Sequence, residues 1–193
     1  MSDSHVRHLP VTDGNLFVGL VSEDDVLHSN PELNVELYRY AMARPFARED
    51  DHLYEVMHKM GQYRLTVIPV LDESEHYLGC ISLEDLLPAF TEAAYLNEKG
   101  NILVLESAPR GFSLAEIARI VESENAKILS YFITTHSDNE TVEITLKLNK
   151  TDVGNIIAVL QRFDYEVKGT YNESDYVEDM QDRYDAFMSY LNV

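Results

Sequence analysis

The sequence has 193 residues, enough for one or two domains with a substantial core. Its composition, with 45% hydrophobic and 25% charged residues, is that of a globular protein, and no apolar run approaches the ~20 residues that cross a bilayer. A net charge of −19 argues against nucleic-acid binding, and the single cysteine, Cys80, cannot form an internal disulfide, which favours a reducing, cytoplasmic location.

Two short motifs near the start of the chain recur about 60 residues later. Residues 7–13, Arg-His-Leu-Pro-Val-Thr-Asp, correspond at an offset of 59 to residues 66–72, Thr-Val-Ile-Pro-Val-Leu-Asp. Residues 19–27 correspond at an offset of 60 to residues 79–87, and both copies contain Gly-x-x-Ser and a following Asp. The extra residue falls in the polar segments between the motifs, where a hairpin turn tolerates an insertion. Each copy therefore predicts a strand, a hairpin turn, a strand and a helix.

The second copy also has a front half. Pro45-Phe46-Ala47 is predicted to be a short strand, and the helix that follows it places Leu53, Val56, Met57 and Met60 on one face. The 59-residue offset places Met1 opposite Met60, so the first repeat is expected to lack its first strand and helix. This pattern is expected if the natural protein starts upstream or if the chain is a fragment.

Each repeat consists of Pro-Val-x-Asp, a hairpin and Gly-x-x-Ser-x-x-Asp-x-Leu. Two such repeats about 60 residues apart resemble a pair of cystathionine-beta-synthase (CBS) domains. The resemblance covers residues 1–90. It implies a compact module with pseudo-two-fold symmetry, and many such pairs bind adenosine-containing ligands in the clefts between their two repeats.

A polar linker is predicted at residues 91–100, and residues 101–172 follow a different pattern. Ile102 to Leu105 is an apolar strand, Ser113 and Glu116 form a capping box before a helix, and two strand-like runs join around residues 137–139. A second helix and a final strand complete the order βαββαβ, the order of a ferredoxin-like fold.

A βαββαβ unit after a CBS pair resembles an ACT domain, and the whole arrangement resembles the acetoin-utilisation family of CBS-CBS-ACT proteins. The predicted fold class is α+β. Gly111 stands one residue further from Leu114 than the amino-acid-binding ACT pattern expects, and this argues against amino-acid binding. Residues 173–193 are acidic with apolar residues at helical spacing, which predicts a C-terminal amphipathic helix that covers its own domain or docks across a dimer or onto a partner.

The strongest site candidates are Ser82 with Asp85, and Ser22 with Asp25, each at a strand-to-helix junction. Ser-x-x-Asp is a helix-capping pattern, and capping does not exclude binding. The CBS resemblance implies that the Asp accepts hydrogen bonds from ribose hydroxyls, with the Ser beside ribose or phosphate. Contact is expected more strongly at Ser82 and Asp85, because the first repeat lacks the strand that would wall its cleft.

Further contacts are expected from the short strand of the second repeat. The backbone of Pro45 and the ring of Phe46 could hold a purine against Val70. A phosphate would also need positive charge, and the nearest arginines in the sequence are Arg44, Arg48 and Arg64.

No catalytic or metal-binding motif stands out, since the seven histidines are scattered and acidic pairs are abundant enough to arise by chance. An enzyme is not expected. We expect a regulatory module that binds AMP, ADP, ATP or S-adenosylmethionine and controls an enzyme or transporter, and we expect it to form a homodimer. The alternative is a dimeric scaffold whose cleft holds no ligand.

Overall fold

The computed structural model describes residues 1, 6–29, 39, 42–108, 111–135 and 141–172. The chain divides into two compact units, residues 1–90 and 91–193. The C-terminal helix expected at residues 173–193 lies outside the described residues.

The first repeat of the first unit is a hairpin and a short helix. Strands β1 (His8–Asp13) and β2 (Leu16–Ser22) pair antiparallel, and helix α1 (Glu23–His28) follows directly. Asp13 pairs with Leu16, so the turn between them has two residues, and its first residue, Gly14, takes a φ of 59°. A left-handed backbone favours glycine at this position of a tight hairpin.

The second repeat is longer and carries most of the core of this unit. Strand β3 (Ala47–Arg48) is followed by helix α2 (Leu53–Gln62), strands β4 (Val67–Leu71) and β5 (Tyr77–Ser82), and helix α3 (Leu83–Ala93). β4 is the central strand, parallel to β3 and antiparallel to β5. The apolar face of α2 supplies Val56 and Met60 to a cluster that also contains residues of both repeats: Phe17, Leu20, Ala47, Leu65, Ile68, Leu71 and Leu86.

Reciprocal backbone hydrogen bonds join the two hairpins. The amide of Phe17 donates to the carbonyl of Glu75 at 3.4 Å, and the amide of Tyr77 donates to the carbonyl of Asn15 at 2.7 Å. Each partner stands 60 positions from its counterpart in the sequence. The repeated sequence therefore gives a repeated structure whose two hairpins meet about a pseudo-two-fold axis.

The extra residue of the second repeat lies in its hairpin turn, as predicted. Asp72 donates its amide to the carbonyl of His76 at 3.1 Å, which leaves a three-residue turn closed by Glu75 at a φ of 64°. The corresponding turn of the first repeat has only Gly14 and Asn15. The register irregularities beside the turns, at Val11/Thr12 and Val70/Leu71, match between repeats, so the insertion changes the turn alone.

The first repeat contains fewer described elements than the second. Before β1 the described residues are Met1, Val6 and Arg7, and none of them is in a strand or helix. Within the described part of the chain, the first repeat therefore has no counterpart of β3 or α2.

The second unit has the predicted order βαββαβ. Its elements are β6 (Asn101–Ser107), α4 (Leu114–Ser123), β7 (Ile128–Thr135), β8 (Val142–Leu148), α5 (Gly154–Arg162) and β9 (Glu166–Asn172). The four strands form an antiparallel sheet in the order β7-β8-β6-β9. The inward residues of β6 and β8 pack against α4 and α5 in one core. This core includes residues of all four elements: Leu103, Leu105, Ile117, Val121, Ile144, Leu146, Ile156 and Leu160.

Equivalent glycines in the two repeats have different surroundings, which gives a stability prediction. A Cβ on Gly19 would lie 2.6 Å from Cβ of Met42 and 3.2 Å from the carbonyl oxygen of Ala43, whereas a Cβ on Gly79 meets no atom within 4 Å. Gly19→Ala should therefore destabilise the first unit by about 1–3 kcal/mol, the usual cost of overpacking. Gly79→Ala should be neutral or stabilising by about 0.4–1 kcal/mol, because it restricts the unfolded chain.

Urea unfolding followed by circular dichroism measures both variants, and Gly79→Ala serves as the matched control. Equal effects of the two substitutions would show that the segment at Met42 and Ala43 does not pack against β2 in solution.

Candidate functional site

Both Ser-x-x-Asp motifs form capping boxes at the start of a helix. In the second repeat, the amide and the hydroxyl of Ser82 donate to Oδ2 of Asp85 at 3.0 and 2.6 Å, and the amide of Asp85 donates to Oγ of Ser82 at 3.2 Å. In the first repeat, Ser22 and Asp25 make the same three bonds at 2.9, 2.6 and 3.1 Å. The prediction that these pairs cap α1 and α3 is confirmed.

The capping bonds also favour the ionised form of the two carboxylates. The hydroxyl and the amide of Ser82 lower the pKa of Asp85, and Ser22 lowers the pKa of Asp25 in the same way. Within the described part of the chain, the hydrogen bonds to Asp85 go to Oδ2 and none reaches Oδ1. Asp85 is exposed and is therefore an ionised carboxylate with one oxygen open to accept hydrogen bonds from a ligand.

The short strand of the second repeat begins later than predicted. Residues 45–47 were expected to form it, but the strand is Ala47–Arg48, because Ala47 is the first residue to pair with β4. Pro45 is buried and Phe46 is half-buried just before the strand. Since β3 runs parallel to β4, both residues lie toward the end of the sheet at which Val67 pairs with Ser82.

Val70, the residue against which a purine was expected to pack, lies three residues along the sheet from the level of Ser82. It pairs with Ala47 on one side and with Gly79 on the other. Gly79 is three residues before Ser82 on β5, a distance of ~10 Å along a strand. Pro45 and Phe46 thus stand nearer to the level of Ser82 than Val70 does, and they are better placed to contact a base held there.

Two of the three candidate arginines already have partners within the protein. Nη2 of Arg44 donates to the carbonyl of Phe17 and to Oε2 of Glu75, each at 3.1 Å. The guanidinium of Arg48 lies 4.9 Å from the centre of the Phe46 ring and donates to the carbonyl of Asp72. These contacts hold both side chains beside the hairpin turns. None of these hydrogen bonds directs either guanidinium toward the capping box.

The third arginine, Arg64, follows the C-terminal end of α2. Its φ of 51° is left-handed, and its amide donates to the carbonyl of Gly61 at 3.3 Å. This backbone ends the helix, a structural role at this position.

A junction between the two repeats, not identified from the sequence, lies beside both capping boxes. The amide of Arg7 donates to Oγ1 of Thr66 at 2.8 Å, and Nδ1 of His8 lies 3.1 Å from that oxygen. The carbonyl of Arg7 accepts from the first amide of α1, that of Glu23, at 2.8 Å. The carbonyl of Thr66 accepts from the first amide of α3, that of Leu83, at 3.2 Å. One short chain of hydrogen bonds therefore links the starts of the two helices.

The repeat itself contains the signal that could have located this junction. Arg7 and Thr66 are equivalent positions at the 59-residue offset, and each stands immediately before a strand, β1 or β4. Residues next to a symmetry axis meet their own equivalents, so the pair was predictable once the axis was placed between the hairpins.

His8 occupies a partly buried position in this junction. It pairs across the hairpin with Ser22, and its Nδ1 accepts the amide of Thr66 at 3.3 Å. Burial, followed by the charge of Arg7, lowers the pKa of His8, while Asp25 and Asp24 act in the opposite direction. The neutral imidazole, with its proton on Nε2, is the form that fits these bonds.

A separate pocket of about 430 Å³ lies at the other end of the second repeat. It is lined by Arg48, Glu49, Asp50, Leu71 and Glu73. Leu71 ends β4, whereas Ser82 pairs with Val67 at its start, so the pocket is remote from the capping box. Of the predicted ligand contacts, Arg48 lines this pocket, and Ser82 and Asp85 are not among its described lining residues.

The described residues contain no group of three or more His, Cys, Asp or Glu side chains arranged to hold a metal ion. Within the same residues, no helix has the length and apolar character needed to span a membrane.

Comparison with known families identifies the domains to which the first unit is similar. Residues 1–32 and 39–92 match the CBS domain family. These residues form a CBS domain pair. The pair accounts for the pseudo-two-fold arrangement of the hairpins and gives the two capping boxes equivalent places in its two repeats.

The CBS pair has similar relatives among curated proteins and solved structures. Inosine-5'-monophosphate dehydrogenase of Thermoplasma acidophilum is 28% identical over 152 residues, which are 76% of this chain and 30% of that protein. The chain thus spans about a third of the length of that relative. A CBS domain pair/ACT domain protein of Thermotoga maritima is 26% identical, with a TM-score of 0.43 over 48% of this chain and 77% of that one.

A third similar protein is a CBS domain pair solved in complex with 5'-methylthioadenosine and S-adenosyl-L-methionine. It is 25% identical, with a TM-score of 0.38, and the match covers 47% of this chain and 75% of that one.

The junction of the CBS pair gives a prediction about pH. The imidazole of His8 should titrate below its ordinary value of 6.5, because burial disfavours its charged form. As the pH falls, His8 therefore binds a proton more readily in the unfolded chain than in the folded one. The free energy of unfolding should decrease as the pH falls from 7 through 6.5.

NMR titration of the imidazole resonance checks this prediction, with the resonance assigned by its loss in His8→Gln. The same variant should show a shallower decrease of stability over this pH range. A His8 pKa at or above 6.5 would show that the ring is solvated and that the bond to Thr66 does not hold it.

Proposed function

We propose that this protein is a regulatory module that binds an adenosine-containing ligand beside Ser82 and Asp85 and transmits the bound state to its second unit or to a partner. CBS domain pairs are regulatory, ligand-binding modules rather than catalytic ones. The observation that carries the proposal is the exposed, ionised Asp85 carboxylate in the capping box of the second CBS repeat.

The chemistry of this position fits a ribose. A carboxylate accepts hydrogen bonds from two vicinal hydroxyls, and Oδ1 of Asp85 is open for them. Helix α3 has 11 residues, and the positive end of its dipole stands beside the same position. Pro45 and Phe46 lie at the same end of the sheet, where they can contact the base.

The ligands that fit are AMP, ADP, ATP and S-adenosylmethionine, which share the adenosine group. Arg44 and Arg48 are engaged with Glu75, Phe46 and backbone carbonyls, so recognition depends on the ribose and the base more than on phosphate. The second cleft is the principal site, since β3 stands beside it. Ser22 and Asp25 form a weaker, equivalent site.

The second unit is proposed to be an ACT-like domain, which would make the protein similar to the acetoin-utilisation family. Its order βαββαβ and its sheet order β7-β8-β6-β9 support this assignment. We further propose a cytoplasmic homodimer that controls an enzyme or a transporter. A ligand can bias such a partner only by its difference in affinity for two conformations of the module.

A second candidate function is a scaffold without ligand. The observation in its favour is that helix capping alone accounts for every hydrogen bond of the Ser82 and Asp85 side chains found among the described residues. The same three capping bonds form in the first repeat, where β3 has no described counterpart.

A thermal-shift panel of AMP, ADP, ATP, S-adenosylmethionine and NAD separates the two functions. A ligand at 100 times its dissociation constant should stabilise the folded protein by about 2.7 kcal/mol. No shift with any of these compounds would favour the scaffold.

Asp85→Ala should weaken binding of the best ligand from this panel by roughly tenfold or more, because the acceptor of two ribose hydroxyls is lost. Asp25→Ala, which breaks the equivalent capping box, is the matched control and should have a smaller effect. Calorimetry measures both affinities, and circular dichroism checks that both variants fold. Equal affinities in wild type and folded Asp85→Ala would show that the motif caps the helix and does not bind the ligand.

A further inference from the structure

The outer edges of β2 and β5 are equivalent in the two repeats, but they are covered differently. The amide of Leu20 on β2 donates to the carbonyl of Ala43 at 2.9 Å, and a Cβ on Gly19 would lie 2.6 Å from Cβ of Met42. Val18 and Leu20 are only 9% and 4% exposed. A short segment of the chain, Met42 with Ala43, therefore occupies this edge of the first repeat.

The same edge of β5 is open in the part of the chain that the structure describes. Leu78 and Cys80 stand 60 positions after Val18 and Leu20, yet Leu78 is 53% exposed and Cys80 is exposed as well. A Cβ on Gly79 would meet no atom within 4 Å. Among the described residues, no backbone hydrogen bond reaches these three residues of β5 from outside the β4–β5 ladder.

The backbone of Cys80 has the orientation that the addition of a strand requires. Cys80 pairs with Pro69 on β4, as Leu20 pairs with Pro10 on β1. A proline cannot donate to the opposite strand, which fits a non-hydrogen-bonded pair whose amide and carbonyl groups point away from each other. The amide of Leu20 shows this geometry, because it donates to the carbonyl of Ala43, outside the ladder. Cys80 therefore offers the same outward pair of backbone groups.

The chemistry of this edge indicates which segment fits it. All six residues of Tyr77–Ser82 are uncharged and none is proline, so a further strand would meet backbone groups and apolar side chains. Met42 and Ala43, which occupy the equivalent edge, are also uncharged, and Arg44 follows them. A net charge of −19 repels acidic segments, a second copy of this chain included, and attracts basic ones. The segment that fits is therefore short, extended, apolar where it touches β5 and free of acidic residues.

We propose that the outer edge of β5 is a strand-addition site for an apolar, non-acidic segment of a partner protein, which pairs with Cys80 as Ala43 pairs with Leu20. The proposal rests on the control of a partner proposed above, for which it supplies the surface, and it does not depend on the nucleotide site. In this mode of recognition, main-chain hydrogen bonds supply affinity, and the spaces available to alternate side chains supply specificity.

Gly79 provides a way to block the site without disturbing the fold. A Cβ there meets no atom of the chain within 4 Å, but on the equivalent Gly19 the same atom would lie 2.6 Å from Cβ of Met42. Gly79→Ala should therefore fold normally and exclude the partner segment. Gly61→Ala is the matched control, because a Cβ on Gly61 would also meet no atom within 4 Å.

The test uses a synthetic peptide of residues 40–46, which contains Met42 and Ala43, and follows alkylation of Cys80 in the full chain without nucleotide. Cys80 is the single cysteine, so mass spectrometry of the alkylated protein reports on this edge alone. At about 5 mM, a peptide with a dissociation constant on the order of 1 mM should slow the alkylation roughly fivefold in wild type and in Gly61→Ala. The rate in Gly79→Ala should not change.

Three results would overturn the proposal. An unchanged rate in wild type would show that the edge takes no such segment, and equal slowing in wild type and Gly79→Ala would show that the peptide does not pair as Met42 and Ala43 do. Alkylation that slows without peptide as the protein concentration rises would assign the edge to a second copy. Each result leaves the nucleotide proposal standing, because the thermal-shift panel tests that proposal separately.

Discussion

The arrangement of the first unit depends on the backbone hydrogen bonds that the two hairpins exchange. The bonds from Phe17 to Glu75 and from Tyr77 to Asn15 use main-chain groups, so they do not depend on which side chains the two turns carry. This explains how the turns can differ by one residue while the contact between them is retained. It also fixes the second contact between the repeats, at Arg7 and Thr66, which brings the starts of α1 and α3 to one junction.

Capping and the proposed ligand contact use the same residues in this architecture because both need the same group at the same place. The unsatisfied amides at the start of a helix require an acceptor, and Ser82 with Asp85 supplies it. A carboxylate so positioned keeps one oxygen outside the helix, next to the positive end of the dipole. The fold therefore maintains an ionised acceptor at the cleft whether or not a ligand is present.

Much of the fold was predictable because its signals are local. The repeat located both capping boxes, and the periodicity of residues 101–172 gave the order βαββαβ. The short strand was placed too early, since the start of β3 is set by its pairing with Val70 and not by the apolar character of Pro45 and Phe46. The partners of Arg44 and Arg48 were also not predictable. They are the turn residues of the second repeat and backbone carbonyls, which lie 24 to 31 positions away along the chain.

The strong negative charge of the chain constrains every contact that it makes. Few cations are present to attract an anionic ligand, and two of the arginines near the second repeat stabilise the hairpin turns instead. The proposed adenosine-containing ligand would therefore gain its free energy from contacts of its ribose and base and from the helix start. The proposed ligand contact is consistent with this property, because a highly acidic protein favours contacts in which charge does not have to be matched.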